Sequence, residues 1–392
     1  MKRFWVILLL LASQSLFSQS RLTHQRIFKI GVFAPLYLDS VFENYQFKFD
    51  KAIPKFIMPG VEFVQGAQIA FDSMTLYNDR VDAYIYDTRS YLQPIPWLIK
   101  YNIIDSLDLI IGSVKDVDYK ELSDFAEKRK IPFISVTYPN DGGVTGNPYL
   151  AIMNSTLKAH CEGIYSYILQ NHGTDKVYLV RKPGQQEDKI AAYFKMINEQ
   201  EGKPLLNIQT ISFDSTISPS FFRYRLDSTH NSVIIGGSFD EGFAKQLTDA
   251  CFAVAKKNYP VTLIGMPDWE SFKEFSQANA YKDFPIRFTS PYNNSKTGPY
   301  NALLTSEYNK RYKAKPTDLA YKGFEAAWLL TNLLVKFPDD LMSHLSDRSI
   351  TIFNEFNFRP VYPKKNSNTP DYFENKHLYV MRILNGVVSR EW

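Results

Sequence analysis

The chain is poor in the residues that carry most reactive chemistry. Its 392 residues include only two cysteines and six histidines. No two histidines are four apart, and neither His-Glu-x-x-His nor Cys-x-x-Cys occurs, so the common structural zinc patterns are excluded. No Gly-rich phosphate loop follows a strand-like run, and no cofactor is implied. Excess charge is missing too. The net charge is +4, and Lys2 and Arg3 supply two of those positive charges within a leader-like segment. Such a balance does not call for nucleic acid or a polybasic membrane contact. Long apolar runs are also absent after the first twenty residues. Phe324 to Phe337 is interrupted by Glu325, Asn332 and Lys336 and is too short for a membrane span.

What is present points to export and to binding. Residues 1–20 have a basic start, an apolar run from Phe4 to Ala12 and small residues at Ser18 and Ser20. This pattern reads as a secretory signal peptide cleaved after Ser18 or Ser20, placing the mature protein in the periplasm. Cys161 and Cys251 each fall on the apolar stripe of a helical segment, and an oxidising compartment leaves open whether they are bridged. Aromatics are abundant, with 25 Tyr and 29 Phe. Such rings fill cores and line clefts alike.

Behind the leader, short apolar runs alternate with helical patterns in two matching halves. Strands are expected at Phe28 to Phe33, Asp82 to Tyr86, Leu107 to Ile111 and Pro132 to Val136, with helices between them. The segment 137–148 is rich in Gly, Asn, Asp and Pro and reads as a loop. The theme repeats from Thr156, with strands at Val177 to Val180, Ile208 to Phe213, Ser232 to Ile235, Val261 to Ile264 and Ile286 to Thr289. A long helix over Leu319 to Val335 and strands at Thr351 to Phe358 and Leu378 to Ile383 close the chain. The expected fold is α/β, two doubly wound lobes joined by hinge strands. The first lobe spans 21–150, with a return segment 320–392 partly in it, and the second spans 151–319.

In such sheets ligands sit beyond the carboxyl ends of the strands. Those loops are Ala34 to Leu38, Asp87 to Ser90, Gly112 to Lys115, Ser135 to Tyr138, Arg181 to Gly184, Ser238 to Glu241 and Asp268-Trp269. Asp240, Glu241 and Asp268 could hold an ammonium there, and Trp269 or Tyr138 could cover an apolar group. Gly236-Gly237-Ser238-Phe239-Asp240 lies where a nucleophile elbow would lie. The elbow needs Gly two residues after its Ser, and Asp240 stands there. A βα loop capped by Ser238 or Asp240 is the plainer reading, and the chain is read as a binding protein and not an enzyme.

The order of several stretches makes the chain resemble a known family. They are Gly60-Val61-Glu62-Phe63-Val64-Gln65-Gly66-Ala67, Tyr84 to Thr88, Asp108 to Ser113, Ala126 to Ser135, Gly265 to Trp269 and Ala320 to Glu325. Over residues 28–390 the chain resembles the type I periplasmic-binding fold, the receptors of branched-chain amino-acid ABC importers. It is most similar to divergent amino-acid-receptor-like proteins of Bacteroidetes, some of which carry a peptidoglycan-binding LysM module. No stretch of this chain reads as that module. The resemblance implies a carboxylate grip at Ser113 and at Ser135 or Thr137, and an ammonium partner at Asp268. It places a family Tyr near Ser238. With Asp240 and Trp269 from the loop reading, the candidate ligand set is Ser113, Ser135, Thr137, Ser238, Asp240, Asp268 and Trp269. The implied ligand is an amino acid or short peptide, with an ABC importer membrane component or another envelope protein as partner. The competing reading is a ligand-free scaffold that regulates an envelope protein such as a cell-wall synthase.

Overall fold

The computed structural model describes residues 26–49, 52–74, 80–199, 202–214, 216–293, 296–363 and 367–392. The leader expected at 1–20 lies outside them. The first lobe opens with β1 (Phe28–Ala34), then a short helix α1 (Leu38–Val41) and a hairpin β2 (Phe42–Glu43) and β3 (Gln46–Phe47). It continues through α2 (Met58–Ser73), β4 (Val81–Asp87), α3 (Ile95–Lys100), β5 (Leu109–Gly112), α4 (Asp116–Arg129), β6 (Phe133–Ser135) and β7 (Leu150–Ile152). The second lobe follows as α5 (Leu157–Asn171), β8 (Lys176–Arg181), α6 (Gln185–Asn198), β9 (Ile208–Ser212), α7 (Pro219–Arg223), β10 (Ser232–Gly236), α8 (Glu241–Ala255), β11 (Val261–Ile264) and β12 (Ile286–Ser290). The chain then supplies α9 (Gly298–Tyr312), α10 (Asp318–Lys336), β13 (Phe358–Val361), β14 (Tyr372–Asn375), β15 (Tyr379–Leu384) and β16 (Val387–Arg390).

Each lobe is built on one seven-stranded sheet. The orders are β13-β14-β7-β6-β5-β1-β4 and β16-β15-β12-β11-β10-β8-β9. The strands from β7 to β4 and from β12 to β9 are parallel. The inner strands, such as β5 and β10, are buried at every position because helices cover both faces, whereas the outer strands β4 and β9 stay largely exposed. Leu109 and Ile111 enter the core under α2 and α10, while Ile110 enters the core under α4. The pairing of α2 with α10 is very close. A Cβ at Gly66 would run into the backbone of Ala320, so only glycine permits this approach.

Two differences from the sequence reading have clear causes. The expected strand over Thr351 to Phe358 is irregular as far as Asn357 and joins the ladder only at Phe358. Its amides go elsewhere: those of Phe353 and Asn354 to the Glu325 carboxylate at 3.2 and 2.7 Å, and that of Glu355 to the Tyr379 hydroxyl at 2.9 Å. Helix α9 falls within the 151–319 stretch assigned by sequence to the second lobe. Its Leu304 and Tyr308 nevertheless belong to the core formed by α2 and α10 of the first lobe. Strands β15 and β16, in turn, complete the second lobe's sheet.

The chain crosses between the lobes three times: at 153–156, between β12 and α9, and at 376–378. The first and third crossings are laced together. Ser155 Oγ donates to the Asn375 carbonyl at 2.7 Å, and the Thr156 amide donates to the buried Glu374 carboxylate at 2.8 Å. Such side-by-side segments let two rigid lobes swing about a common axis. Cys161 and Cys251 are both buried in the second lobe as free thiols. Among the described residues no helix is long and apolar enough to cross a membrane.

Candidate functional site

The first lobe's wall of the cleft is built where β5 and β6 end side by side. Their register pairs Gly112 with Ser135, so Ser113 and Thr137 emerge on neighbouring loops. Their hydroxyls lie 3.1 Å apart, and both residues are half-buried. The backbone locks them in place. The Ser113 amide donates to the Phe33 carbonyl, and Asn154, in the first crossing, donates to the Thr137 carbonyl. Ser135 is different. It is completely buried, and its hydroxyl has no hydrogen-bond partner, so no ligand in the cleft reaches it as the lobe is packed here.

The second lobe's wall comes from the ends of β8, β10 and β11, and most of its polar groups are already engaged. Ser238 is buried and donates to Glu187 Oε1 at 2.6 Å. Asp240 caps α8, accepting from the Phe243 amide at 2.7 Å, and pairs with Lys182 at 3.0 Å. The Phe243 amide, with help from Lys182, holds the Asp240 carboxyl below its ordinary pKa. Trp269 is fully buried and its Nε1 donates to the Ser238 carbonyl at 2.9 Å. Its ring covers Gly236 and Gly265 so closely that neither position has room for a Cβ. Trp269 is therefore the keystone under the loop and not a cover over a ligand, which corrects the role expected from sequence. Ser238 and Asp240 are likewise committed to the fold.

Asp268 is left free. It projects from a tight turn over Pro267–Ser271, is exposed, and among the described residues its carboxylate meets no hydrogen-bond or ion-pair partner. The surrounding protein still pushes its pKa upward by desolvation. Two residues along, Glu270 is raised for the same reason, with Asp318 adding to the shift and Lys322 and Lys296 opposing it. Asp318 and Lys322 sit on α10 of the other lobe and Lys296 lies just before α9, so this turn looks across the cleft. Lys322 Nζ rests 4.3 Å from the centre of the Tyr292 ring, and Tyr292 donates its hydroxyl hydrogen to the Val136 carbonyl at 2.9 Å. Glu270, Lys322 and Tyr292 escaped the sequence reading. One signal was available for Glu270: in Asp268-Trp269-Glu270, burial of the middle residue turns its two neighbours outward.

Beside the second crossing, Tyr292, Asn293, Lys322, Glu325 and Asn354 enclose a cavity of about 10 Å³, room for a single water. Glu325 is buried there and accepts from Phe353, Asn354 and the Asn354 side chain, the last at 2.6 Å. Burial is the largest influence on it and pushes its pKa up to about 7. Among the described residues no group of three or more His, Cys, Asp or Glu could hold a metal ion.

Two lobes on mainly parallel sheets, three crossings between them and a cleft with hydroxyls on one wall and carboxylates on the other define the two-lobed type I binding fold. The chain belongs to the periplasmic binding protein family, whose model matches residues 103–344. The sequence has no significant match among curated proteins. Solved structures share the fold across nearly the whole chain. One described as a branched-chain amino acid ABC transporter from Rhodospirillum rubrum aligns with a TM-score of 0.65 and 13% identity, covering 93% of this chain and 100% of that one. A branched-chain amino acid ABC transporter periplasmic ligand-binding protein from Burkholderia xenovorans gives 0.58 and 12%, covering 93% and 94%. An ABC transporter substrate-binding protein from Desulfitobacterium hafniense, in complex with Leu, gives 0.54 and 12%, covering 93% and 100%. At these identities the likeness is one of fold.

Proposed function

We propose that this is an exported, periplasmic solute-binding protein that closes its lobes on a small amine-bearing ligand, an amino acid or short peptide, and hands it to an ABC importer. The observation that carries the reading is the unpartnered Asp268 carboxylate on one wall, set against the Ser113–Thr137 hydroxyl pair on the other. An ammonium placed at Asp268 would restore the charge stabilisation that desolvation removes. The two hydroxyls would then meet the ligand's carboxylate or first carbonyl. Chemistry on the ligand is not part of this reading. Ser238 is tied to Glu187, and burial raises both thiols well above the range in which they react.

A second reading has one observation in its favour. Exposed rings between Phe42 and Phe56 are what a scaffold docking on an envelope protein would present. That reading gives Asp268 no role, so one substitution separates the two. With a hit from a thermal-shift panel of amino acids and short peptides, Asp268→Asn should weaken binding about tenfold or more, roughly 1.4 kcal/mol. The ligand-free melting temperature should stay unchanged, because the side chain holds nothing. Unaltered affinity by titration calorimetry would remove Asp268 from the site, and a panel without any hit would favour the scaffold.

A further inference from the structure

The connection between β1 and α2 departs most from a plain βα loop. It carries the β2–β3 hairpin and leaves Phe42, Tyr45, Phe47, Phe49 and Phe56 exposed, Tyr45 completely so. Phe42 faces Phe47 across the hairpin with ring centres 5.6 Å apart, and Phe49 extends the row at the same spacing. Rings gathered in this number on a surface mark a binding site. The base of the loop is fixed. The Asp87 carboxylate accepts from the amides of Leu36, Tyr37 and Leu38 at 2.9, 3.0 and 2.7 Å. Asp39 accepts from Ser90 Oγ at 2.6 Å and from the Leu92 amide at 3.1 Å, which brings exposed Tyr91 and Leu92 alongside.

The base of the loop that carries these rings is continuous with the cleft wall. The Ser113 amide donates to the Phe33 carbonyl and the Thr88 amide to the Ala34 carbonyl. Along the carboxyl rim of the first sheet the order is therefore Thr137, Ser113, the base of the aromatic loop, then Tyr91-Leu92. From β6 to β4 there are three strand spacings, about 15 Å. One amino-acid side chain covers less than half of that. An extended peptide advances about 3.4 Å per residue, so four or five residues cover it.

Resting on the amine-ligand reading above, we propose that the cleft takes an apolar oligopeptide of about four or five residues with a free N terminus. The terminal ammonium sits at Asp268, with Glu270 adding negative charge. The hydroxyls of Ser113 and Thr137 hydrogen-bond the first peptide groups. The chain then runs out along the rim, and its apolar side chains lie against the rings of the hairpin.

The test is titration calorimetry on the full mature protein with three probes: free leucine, a mixture of pentapeptides drawn from Ala, Leu, Val and Phe, and the same mixture N-acetylated. The pentapeptides should bind at least tenfold more tightly than leucine, and acetylation should abolish binding. Phe42→Ser with Phe47→Ser should weaken the pentapeptides about tenfold and leave leucine unchanged. Tyr91→Ser should do the same to a lesser degree. These side chains are exposed, so melting temperatures should hold and confirm folding. Leucine binding as tightly as the peptides would overturn the proposal while leaving the amine-ligand reading intact, as would undiminished peptide binding by the double variant. A dimer that falls apart on the Phe42 and Phe47 substitutions would also overturn it, assigning the rings to a second copy. If neither leucine nor the peptides bind, both the proposal and the reading beneath it fall.

Discussion

Trp269→Ala should destabilise the ligand-free protein by about 3–5 kcal/mol, the range for emptying a large aromatic site in a core. The indole is wholly buried, rests on Gly236 and Gly265, and stands 5.7 Å from the ring of Phe275. Truncation leaves a cavity that those glycines cannot fill. It also strips the Ser238 carbonyl of its donor at 2.9 Å, a further cost of about 1–3 kcal/mol for a buried acceptor left unpaired. Relaxation and water entry would offset part of that sum. Trp269→Phe keeps most of the ring and loses the donor, so its cost should be smaller. Urea unfolding followed by circular dichroism measures both. Had Trp269 stacked on a ligand, truncation would leave stability nearly unchanged and lower only the affinity, and that pattern would refute the assignment.

The second large effect is a pH dependence that Glu325→Gln should unmask. Burial raises the Glu325 carboxyl from an ordinary 4.5 to about 7, against the pull of the Asn354 side chain and of the Asn354 and Phe353 amides. Between those values the native state keeps a proton that the unfolded chain has lost. Stability from this group is thus complete below pH 4.5, declines as pH rises through 7, and is level above that. The total is on the order of 3 kcal/mol. His160 acts in the opposite sense. It is buried against the Thr289 hydroxyl at 2.8 Å, and burial lowers its pKa from 6.5 to about 3. Its contribution is complete above pH 6.5 and is lost as pH falls towards 3. From pH 4.5 to 6.5 the two slopes oppose each other. Glu325→Gln removes this one slope and leaves every other titration in place, so the variant should gain stability relative to the wild type by on the order of 3 kcal/mol between pH 4.5 and 7. Urea midpoints at pH 4.5, 5.5, 6.5 and 7.5 supply the difference. Parallel profiles would show that Glu325 stays charged throughout.

Local pattern carried the fold a long way. Runs such as Leu109 to Ile111 and Val233 to Ile235 are apolar at every position because helices cover both faces, and no tertiary knowledge is needed to see that. The spacing along Leu319 to Val335 marked α10, and the step from Gly236-Gly237 to Asp240 marked a helix cap that the Phe243 amide fulfils. Short strands escaped. The three residues of β7 pair with β6 and with β14, whose partner residues Phe373 and Glu374 lie some 220 positions later. No window along the chain holds that information. The segment 351–357 misled for the converse reason. It has strand-like composition, but its amides are consumed by Glu325 and Tyr379, one on a helix and one in the other lobe.

The same division runs through the cleft. By itself the sequence determined an α/β chain of two wound halves, and it determined that polar loops follow the parallel strands, since hydrophobic period and turn composition are local properties. It could propose Ser113, Ser135, Thr137, Ser238, Asp240, Asp268 and Trp269 together, but it had no means of ranking them. Only the tertiary structure decided that Ser135 and Trp269 lie buried, that Ser238 answers Glu187 and Asp240 answers Lys182, and that Ser113, Thr137 and Asp268 keep capacity to spare. A polar side chain is free or engaged according to what another part of the chain brings within hydrogen-bond reach. Here Glu187 meets Ser238 from 51 residues away, and Lys182 meets Asp240 from 58.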